Sequence, residues 1–189
     1  MRIDQILLFE QDDADWLYPF SIMHCSWELR CGALRLFEKI EKQSPEAHIL
    51  YSSTRKKHLS SFLKRYGIEH QKVEKKNTLS IFSHVLPDRT LWDKIFAEYK
   101  KEFGNDDKPV IFVGSSLPFA CYMPASEMIN PKDSDIDFFP KFITDFGEKL
   151  EKIDIGKINI LRYLWDAIDH NPQAINDDAV FFDFNVDQH

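Results

Sequence analysis

Residues able to do chemistry concentrate in the stretch 17–32, which reads LYPFSIMHCSWELRCG. Arg30 lies two residues before Gly32 at the entrance to a predicted helix. This placement suits a phosphate group, because a guanidinium fork and free backbone N–H groups both match phosphate oxygens. The competing interpretation pairs Arg30 with Glu28 or with a carbonyl of its own loop.

A second candidate segment, residues 114–116, follows the apolar run Val110–Val113. Ligands of open α/β sheets bind outside the carboxyl ends of the strands, so Gly114 and Ser115 are expected substrate contacts. The chain contains neither G-x-G-x-x-G nor G-x-x-x-x-G-K-[ST], and dinucleotide-binding and P-loop functions therefore have no support.

The elements that must position these residues alternate between short apolar strands and amphipathic helices. This pattern predicts an α/β fold, a Rossmann-like three-layer arrangement with a mostly parallel sheet. The predicted strands are Ile6–Phe9, His48–Tyr51, one near Ile68–Val73, and Val110–Val113; the predicted helices are Ala33–Ile40, Arg55–Tyr66 and Asp88–Phe103.

From about Ala120 the alternation is lost, and we predict a single domain over 1–189 with a βαβ core over about 5–119 and an irregular, helical part over 120–189. One helix is expected to place Ile160, Leu161, Leu164, Trp165 and Ile168 on a buried face, which gives Trp165 a structural role. Asn171-Pro172 is typical of a helix start and predicts a further helix there.

Composition excludes several classes of protein. The chain has 189 residues with 24 Lys and Arg against 31 Asp and Glu, a net charge of −7 that argues against a nucleic-acid partner. Three cysteines without close pairing fit neither a disulfide framework nor a zinc site, and predict a cytoplasmic location. No run is long enough for a signal peptide or a membrane span, so no membrane partner is expected.

The first stretch also resembles, position by position, the signature of a family of sugar nucleotidyltransferases. In that signature a loop of the form L-x-P-L-T-x-T-R-P-x-x-E-L-R-x-G leads into a helix with a Glu-Lys pair. The matching residues are Leu17, Pro19, Glu28, Leu29, Arg30, Gly32, Glu38 and Lys39, with Ser21 in place of Thr. A second block resembles the family's closing Y-x-W-D…N…I…D element through Tyr163, Trp165, Asp166, Asn171, Ile175 and Asp178.

The resemblance implies a domain that joins a nucleoside triphosphate to a sugar 1-phosphate and releases pyrophosphate. It implies Mg²⁺ as the cofactor. Arg30 and Lys39 would be the catalytic residues near the phosphates, and Ser21, His24 and Gly32 would contact substrate. Members of the family usually continue into a left-handed β-helix, so a missing β-helix domain and an oligomeric assembly both remain open.

Three departures from the family pattern favour an alternative, a catalytically degenerate domain that binds a nucleotide or sugar or serves in assembly. His24-Cys25 replaces Arg-Pro, which exchanges a permanent cation for a largely neutral group. The acidic run 10–15 replaces a Gly-rich basic loop and would repel a triphosphate. Residues 114–116 replace a metal-binding Asp, and a serine hydroxyl is a poor sole ligand for a hard cation.

A further alternative is a glycosyltransferase with a similar fold. Residues 133–137 contain overlapping D-x-D patterns, and Asp133 and Asp135 are the candidates for holding a metal against a nucleotide diphosphate. The competing interpretation is a solvated loop, because D-x-D arises by chance in an acidic chain.

Overall fold

A six-stranded sheet forms the centre of the protein in the computed structural model, which describes residues 1–69, 71–128 and 149–182, without the side chains of residues 12–14. Its strands are β1 (Gln5–Glu10), β2 (His48–Ser53), β3 (Thr78–Phe82), β5 (Val110–Gly114), β6 (Leu117–Met123) and β7 (Glu151–Asp154), in the order β2-β1-β3-β6-β5-β7. Only β6 runs antiparallel to its neighbours in this sheet. The predicted mostly parallel α/β architecture is confirmed.

Within the described residues, four α-helices and a small second sheet accompany these strands. The helices are α1 (Leu36–Gln43), α2 (Lys56–Tyr66), α3 (Leu91–Phe103) and α4 (Leu164–Asp178), and the two-stranded sheet pairs β4 (Val85–Leu86) with β8 (Asn159–Ile160). Helix α2 ends at Gly67, which adopts a positive φ that glycine tolerates best. No helix among the described residues is long and apolar enough to cross a bilayer.

Side chains on alternate positions of the strands enter different apolar clusters. Ile6 and Leu8 of β1 belong to a large cluster that receives side chains from α1, α2 and α3, whereas Leu7 joins a smaller one with Leu50 and Met123. Successive residues of a strand face opposite sides of the sheet. The three helices therefore cover one face, and the smaller cluster lies on the other.

Helix α4 packs away from the sheet, against the segment that follows β1. Ala167 and Ala174 share an apolar cluster with Leu17, Leu29 and Leu36. Small residues on the inner face of α4 let its backbone approach this segment closely.

Two predictions about strands were wrong. The third strand lies at Thr78–Phe82, because L-S-I-F alternates apolar and small side chains, whereas 68–73 is too polar for a strand in the middle of a sheet. The chain was also expected to become irregular from about Ala120, but that residue lies inside β6.

The predictions for the C-terminal helix were wrong in three respects. Ile160 lies in β8, and the helix begins only at Leu164. The helix also runs through Pro172 without a break, and the Asn171 side chain accepts the N–H of Gly32 instead of capping a new helix. Trp165 is 59% exposed rather than buried, and it stacks on Tyr163 with ring centroids 4.4 Å apart.

Candidate active site

The candidate site lies at the carboxyl edge of the sheet, where the parallel strands β1, β2, β3 and β5 end. Glu10, the last residue of β1, is almost fully buried there. One of its carboxylate oxygens accepts hydrogen bonds from the Ser53 hydroxyl at 2.8 Å and from Arg55 at 2.9 and 3.0 Å, and the other accepts the N–H of Ser26. Both oxygens of this carboxylate are therefore engaged by the protein itself.

Arg55 links this edge to the loop that contains the candidate residues. Its guanidinium donates to the carbonyl oxygens of Ser21 and His24 in addition to its bonds with Glu10. His58, one turn into α2, is hydrogen-bonded to the Ile22 carbonyl at 2.8 Å. The start of α2 thus fixes the backbone of residues 21–24.

Glu28 fixes the next part of the loop from inside. Its carboxylate is buried, accepts the N–H of Cys25 at 2.9 Å, and forms an ion pair with Arg65. Arg65 also donates to Nδ1 of His24 at 3.0 Å, and the His24 ring stacks on Phe20. His24 is half-exposed, so its ring is available at the surface of the loop.

Arg30 has an exposed side chain, and its guanidinium donates to the Ala33 carbonyl. No carboxylate partner of Arg30 is found in the described part of the chain. Of the two partners considered for Arg30, the structure contains the loop carbonyl. The ion pair with Glu28 does not form. The cation thus remains accessible to an anionic ligand.

Lys39 is buried and Gly32 is half-buried in the contact between the loop and α4. Lys39 forms an ion pair with Asp178, whose other oxygen accepts the N–H groups of Ala33 and Leu34 at 2.8 and 3.0 Å. A Cβ on Gly32, where φ is +86°, would lie 2.5 Å from the Asp178 carboxylate. The Lys39 ammonium cannot meet a ligand unless this contact opens.

Gly114 ends β5, and Ser115 and Ser116 form the turn to β6, with φ positive at both serines, the pattern of a type I′ turn. The Ser115 hydroxyl donates to the Ile158 carbonyl at 3.0 Å and accepts the Ile158 N–H at 3.1 Å. A Cβ on Gly114 would lie 2.8 Å from the Ile158 side chain. The turn is thereby fixed to the segment that follows β7.

His84, two residues after β3, is a functional candidate that sequence reasoning did not single out. Its ring is fully buried, stacks on Phe82 at 4.8 Å and contacts the edge of Trp16. Neither ring nitrogen has a hydrogen-bond partner among the described residues. Burial lowers the pKa of His84 to about 4, so the ring is neutral at physiological pH. His84 follows Ser83 just beyond the end of a parallel strand, where ligands of α/β sheets bind. This position is the sequence signal that could have identified it.

The donor set of a magnesium site is not present among the described residues. No cluster of three or more His, Cys, Asp or Glu side chains is found there, and Glu10 and Glu28 are engaged with arginines. Asp133 and Asp135 lie outside the described residues. We therefore derive no step through a metal ion.

The model of one protein family, described as sugar nucleotidyl transferase, matches residues 6–184. The chain belongs to this family. A crystal structure described as a glucose-1-phosphate thymidylyltransferase from Bacillus anthracis in complex with a sucrose matches with a TM-score of 0.52. The match covers 91% of this chain and 95% of that one at 10% identity, and supports the fold alone. None of the curated proteins compared with the chain matches it.

In this member of the sugar nucleotidyl transferase family, most residues of the signature described above hold the structure together. Leu17 and Leu29 are buried, Glu38 accepts the N–H of Arg35 at the start of α1, and Asp166 accepts the N–H of Tyr163 at the start of α4. The two signature blocks meet where Gly32, Lys39, Asn171 and Asp178 contact one another. Among the charged residues of the first signature block, Arg30 is the exception, with an exposed side chain and no ion pair within the described ranges.

Proposed function

We propose that this chain joins a nucleoside triphosphate to a sugar 1-phosphate and releases pyrophosphate. The observation that supports the proposal most directly is the position of Arg30. In the first signature block, Glu28 and Lys39 are held in buried ion pairs and Glu38 pairs with Arg35 at the surface, while Arg30 presents a cation from a loop fixed at both ends.

In the proposed reaction an oxygen of the sugar 1-phosphate attacks the α-phosphorus of the triphosphate. A new P–O bond forms as the bond between the α-phosphorus and the oxygen bridging to the β-phosphate breaks, and pyrophosphate carries away the electron pair. Arg30 binds phosphate oxygens and offsets the charge that accumulates on them. Such catalysis consists mainly of positioning and charge stabilisation.

In this proposal the remaining candidate residues contact substrate or hold the site in place. His24 is half-exposed and offers its ring at the loop surface, whereas the buried Ser21 contributes its carbonyl to the contact with Arg55. Gly32 and Lys39 act as positioning residues through their contact with α4, and Gly114 and Ser115 hold the turn beside the edge. Mg²⁺ dependence and a cytoplasmic location remain predictions.

The test is pyrophosphate release by the full chain with nucleoside triphosphates and sugar 1-phosphates, each with Mg²⁺ and with a chelator. Arg30→Ala is expected to lower the rate about 100-fold, as loss of one stabilising donor does elsewhere. Arg2→Ala is the matched control, because that side chain is 83% exposed and precedes β1 at the opposite edge. Equal rates for Arg30→Ala and the unaltered chain would remove Arg30 from the site.

A second candidate function, nucleotide or sugar binding without catalysis, is favoured by the Glu10–Arg55 ion pair. This pair places the buried Glu10 carboxylate where a triphosphate would approach the end of β1. It also engages the Arg55 guanidinium, which a phosphate group would otherwise bind. Thermal shifts with triphosphates or nucleotide sugars, in the absence of turnover, would support this function. Pyrophosphate release that is lost in Arg30→Ala would exclude it.

The glycosyltransferase alternative depends on Asp133 and Asp135. Transfer of a sugar from a nucleotide sugar, lost when both are changed to Asn, would support it. Unchanged transfer by the double variant would exclude these residues as the metal site.

A further inference from the structure

The ring of His24 is held by the protein although its side chain is 40% exposed. One face of the ring stacks on Phe20, with centroids 4.8 Å apart. Arg55 donates to the His24 carbonyl oxygen at 2.9 Å, and Arg65 donates to Nδ1 of the ring at 3.0 Å. An exposed side chain without such contacts changes rotamer within nanoseconds. These contacts therefore fix the direction of the imidazole before any ligand binds.

The contact with Arg65 decides which ring nitrogen of His24 carries the proton. A guanidinium has N–H donors and no acceptor, so Nδ1 accepts this hydrogen bond through its lone pair. A proton on Nδ1 would instead face the N–H of Arg65 at 3.0 Å, donor against donor. The single ring proton therefore lies on Nε2, because the hydrogen bond made by one nitrogen sets the state of the other.

Glu28 does not compete for a proton on Nδ1. Its Oε2 lies 3.4 Å from that nitrogen, a longer contact than the one that Arg65 makes. Oε2 accepts from Arg65, and Oε1 accepts the N–H of Cys25 at 2.9 Å. Both oxygens of this buried carboxylate thus have a donor, and the carboxylate holds Arg65 in the position from which it donates to His24.

The Nε2–H group is left without an acceptor among the described residues, and the exposed side chain lets a ligand supply one. The backbone of residues 21–24 lies beside Glu10 at the end of β1, where ligands of α/β sheets bind. A donor that is already oriented loses little conformational freedom when it binds, and such preorganised donors stabilise developing charge effectively.

We propose that His24 donates from Nε2 to a phosphate oxygen of the substrate, and that Arg65 is a positioning residue that holds His24 in this tautomer. The acceptor is a phosphate oxygen because both substrates of the proposed reaction carry phosphate, whose anionic oxygens are strong acceptors. This inference rests on the proposed function for its ligand. The tautomer itself rests only on the contacts of His24, Arg65 and Glu28.

The first test reads the tautomer without turnover. Long-range ¹H–¹⁵N spectra of the full chain with ¹⁵N-labelled histidine, at about pH 8 where an unperturbed imidazole is neutral, distinguish protonated from unprotonated ring nitrogens. The signals that disappear in His24→Gln belong to His24. We expect a proton on Nε2 in the unaltered chain. A proton on Nδ1 would overturn the inference.

Removing Arg65 tests its positioning role. In Arg65→Met the proton of His24 is expected to move towards Nδ1, because Glu28 then accepts from the ring. The double variant Arg65→Met with Glu28→Gln removes the same donor without leaving a buried charge, and it should give a mixture of tautomers. Unchanged His24 signals in whichever of these variants gives the spectrum of a folded chain would overturn the role of Arg65.

The second test identifies the phosphate. Pyrophosphate and glucose 1-phosphate are added separately while the Nε2–H signal of His24 is followed. Movement with pyrophosphate would assign His24 to the phosphates of the triphosphate, and movement with glucose 1-phosphate would assign it to the sugar phosphate. A signal that neither compound moves would overturn the donor role. Because these spectra need no turnover, a chain that releases no pyrophosphate fails the proposed function alone.

The third test uses the rate of pyrophosphate release. His24→Asn should lower kcat/KM about 10- to 100-fold, the effect of losing one hydrogen bond to a charged group, because its amide reaches only to the position of Nδ1. His24→Gln extends an amide N–H to the position of Nε2 and should recover about tenfold of that loss. His48→Gln is the control, at the exposed start of β2 on the opposite edge. Equal rates for His24→Asn and the unaltered chain would overturn the donor role.

Discussion

Lys39 and Asp178 are 139 residues apart in the sequence and form an ion pair whose side chains are only 1% and 2% exposed. The pair joins the first helix of the chain to the last described one. Both belong to the family signature, so a contact between its two blocks is built into the motif. The signature thus specifies how α4 docks as well as where the loop lies.

Replacing Lys39 by Met is expected to lower the free energy of unfolding by about 3–5 kcal/mol, because Asp178 would remain buried without its cation. Urea denaturation measures this loss. Lys42→Met, at an exposed position of the same helix, should change stability by less than about 0.5 kcal/mol. The double variant Lys39→Met with Asp178→Asn should be more stable than Lys39→Met alone. Lost activity at unchanged stability in Lys39→Met would instead place Lys39 among the phosphate ligands.

Gly32→Ala should destabilise the protein by about 3 kcal/mol, since the added Cβ meets the Asp178 carboxylate and the Ala174 carbonyl in a left-handed backbone conformation. Gly67→Ala is the control, because its φ is also positive but nothing lies within 4 Å of its Cβ. That change should cost only about 1 kcal/mol. Equal losses in urea melts would mean that conformation, not packing against α4, determines the need for glycine at position 32.

The stability of the protein should fall on acidification through the pH range set by His84. Its pKa is about 4 in the folded state and 6.5 when unperturbed, so the unfolded chain binds the proton more readily between these values. The difference in the pKa of His84 contributes about 3 kcal/mol to the free energy of unfolding. This contribution is fully present above pH 6.5 and is lost as the pH falls towards 4. Urea melts of the unaltered chain and of His84→Phe, compared from pH 7 to pH 4, measure it. A His84→Phe variant with the same pH dependence would contradict the assignment.

The cysteines should resist alkylation while the protein is folded. Cys25, Cys31 and Cys121 are buried, and burial raises the pKa of each thiol, that of Cys121 to about 12. Thiolates react and thiols do not, so iodoacetamide at pH 8 should leave the native mass unchanged and add three groups after denaturation. Modification of the native protein would show that one thiol is accessible and ionised.

The sequence predicted the elements whose apolar pattern is local. Strand β1, strand β2 and helix α2 lie within two residues of their predicted bounds, because each carries its own periodicity and Gly67 ends the helix. Strand β6 was missed because Pro118 and a continuous apolar run hide its alternation. The Asn171-Pro172 pair predicted a helix start, and only tertiary structure shows that Asn171 is bonded to Gly32.

The candidate site was less predictable for the same reason. Arg30 could be identified from its residue type and neighbours, and its side chain is exposed as a ligand contact requires. Burial of Lys39 depends on a partner near the other end of the chain, and the engagement of Glu10 depends on Arg55 in a different element. Pairings between distant residues leave no local pattern in a single sequence.

The antiparallel position of β6 in the described six-stranded sheet has a consequence for how that sheet is assembled. Strands β5 and β6 are joined by the turn at Ser115 and Ser116, whereas β1 pairs with β2 across 43 residues and with β3 across 73. A hairpin closes in about 1–10 μs, and pairings over long loops form more slowly. We therefore expect the β5–β6 hairpin to form early and to dock as a unit onto β3. On this expectation, the first step at the middle of the sheet depends on Ser115 and Ser116, the two serines held at positive φ.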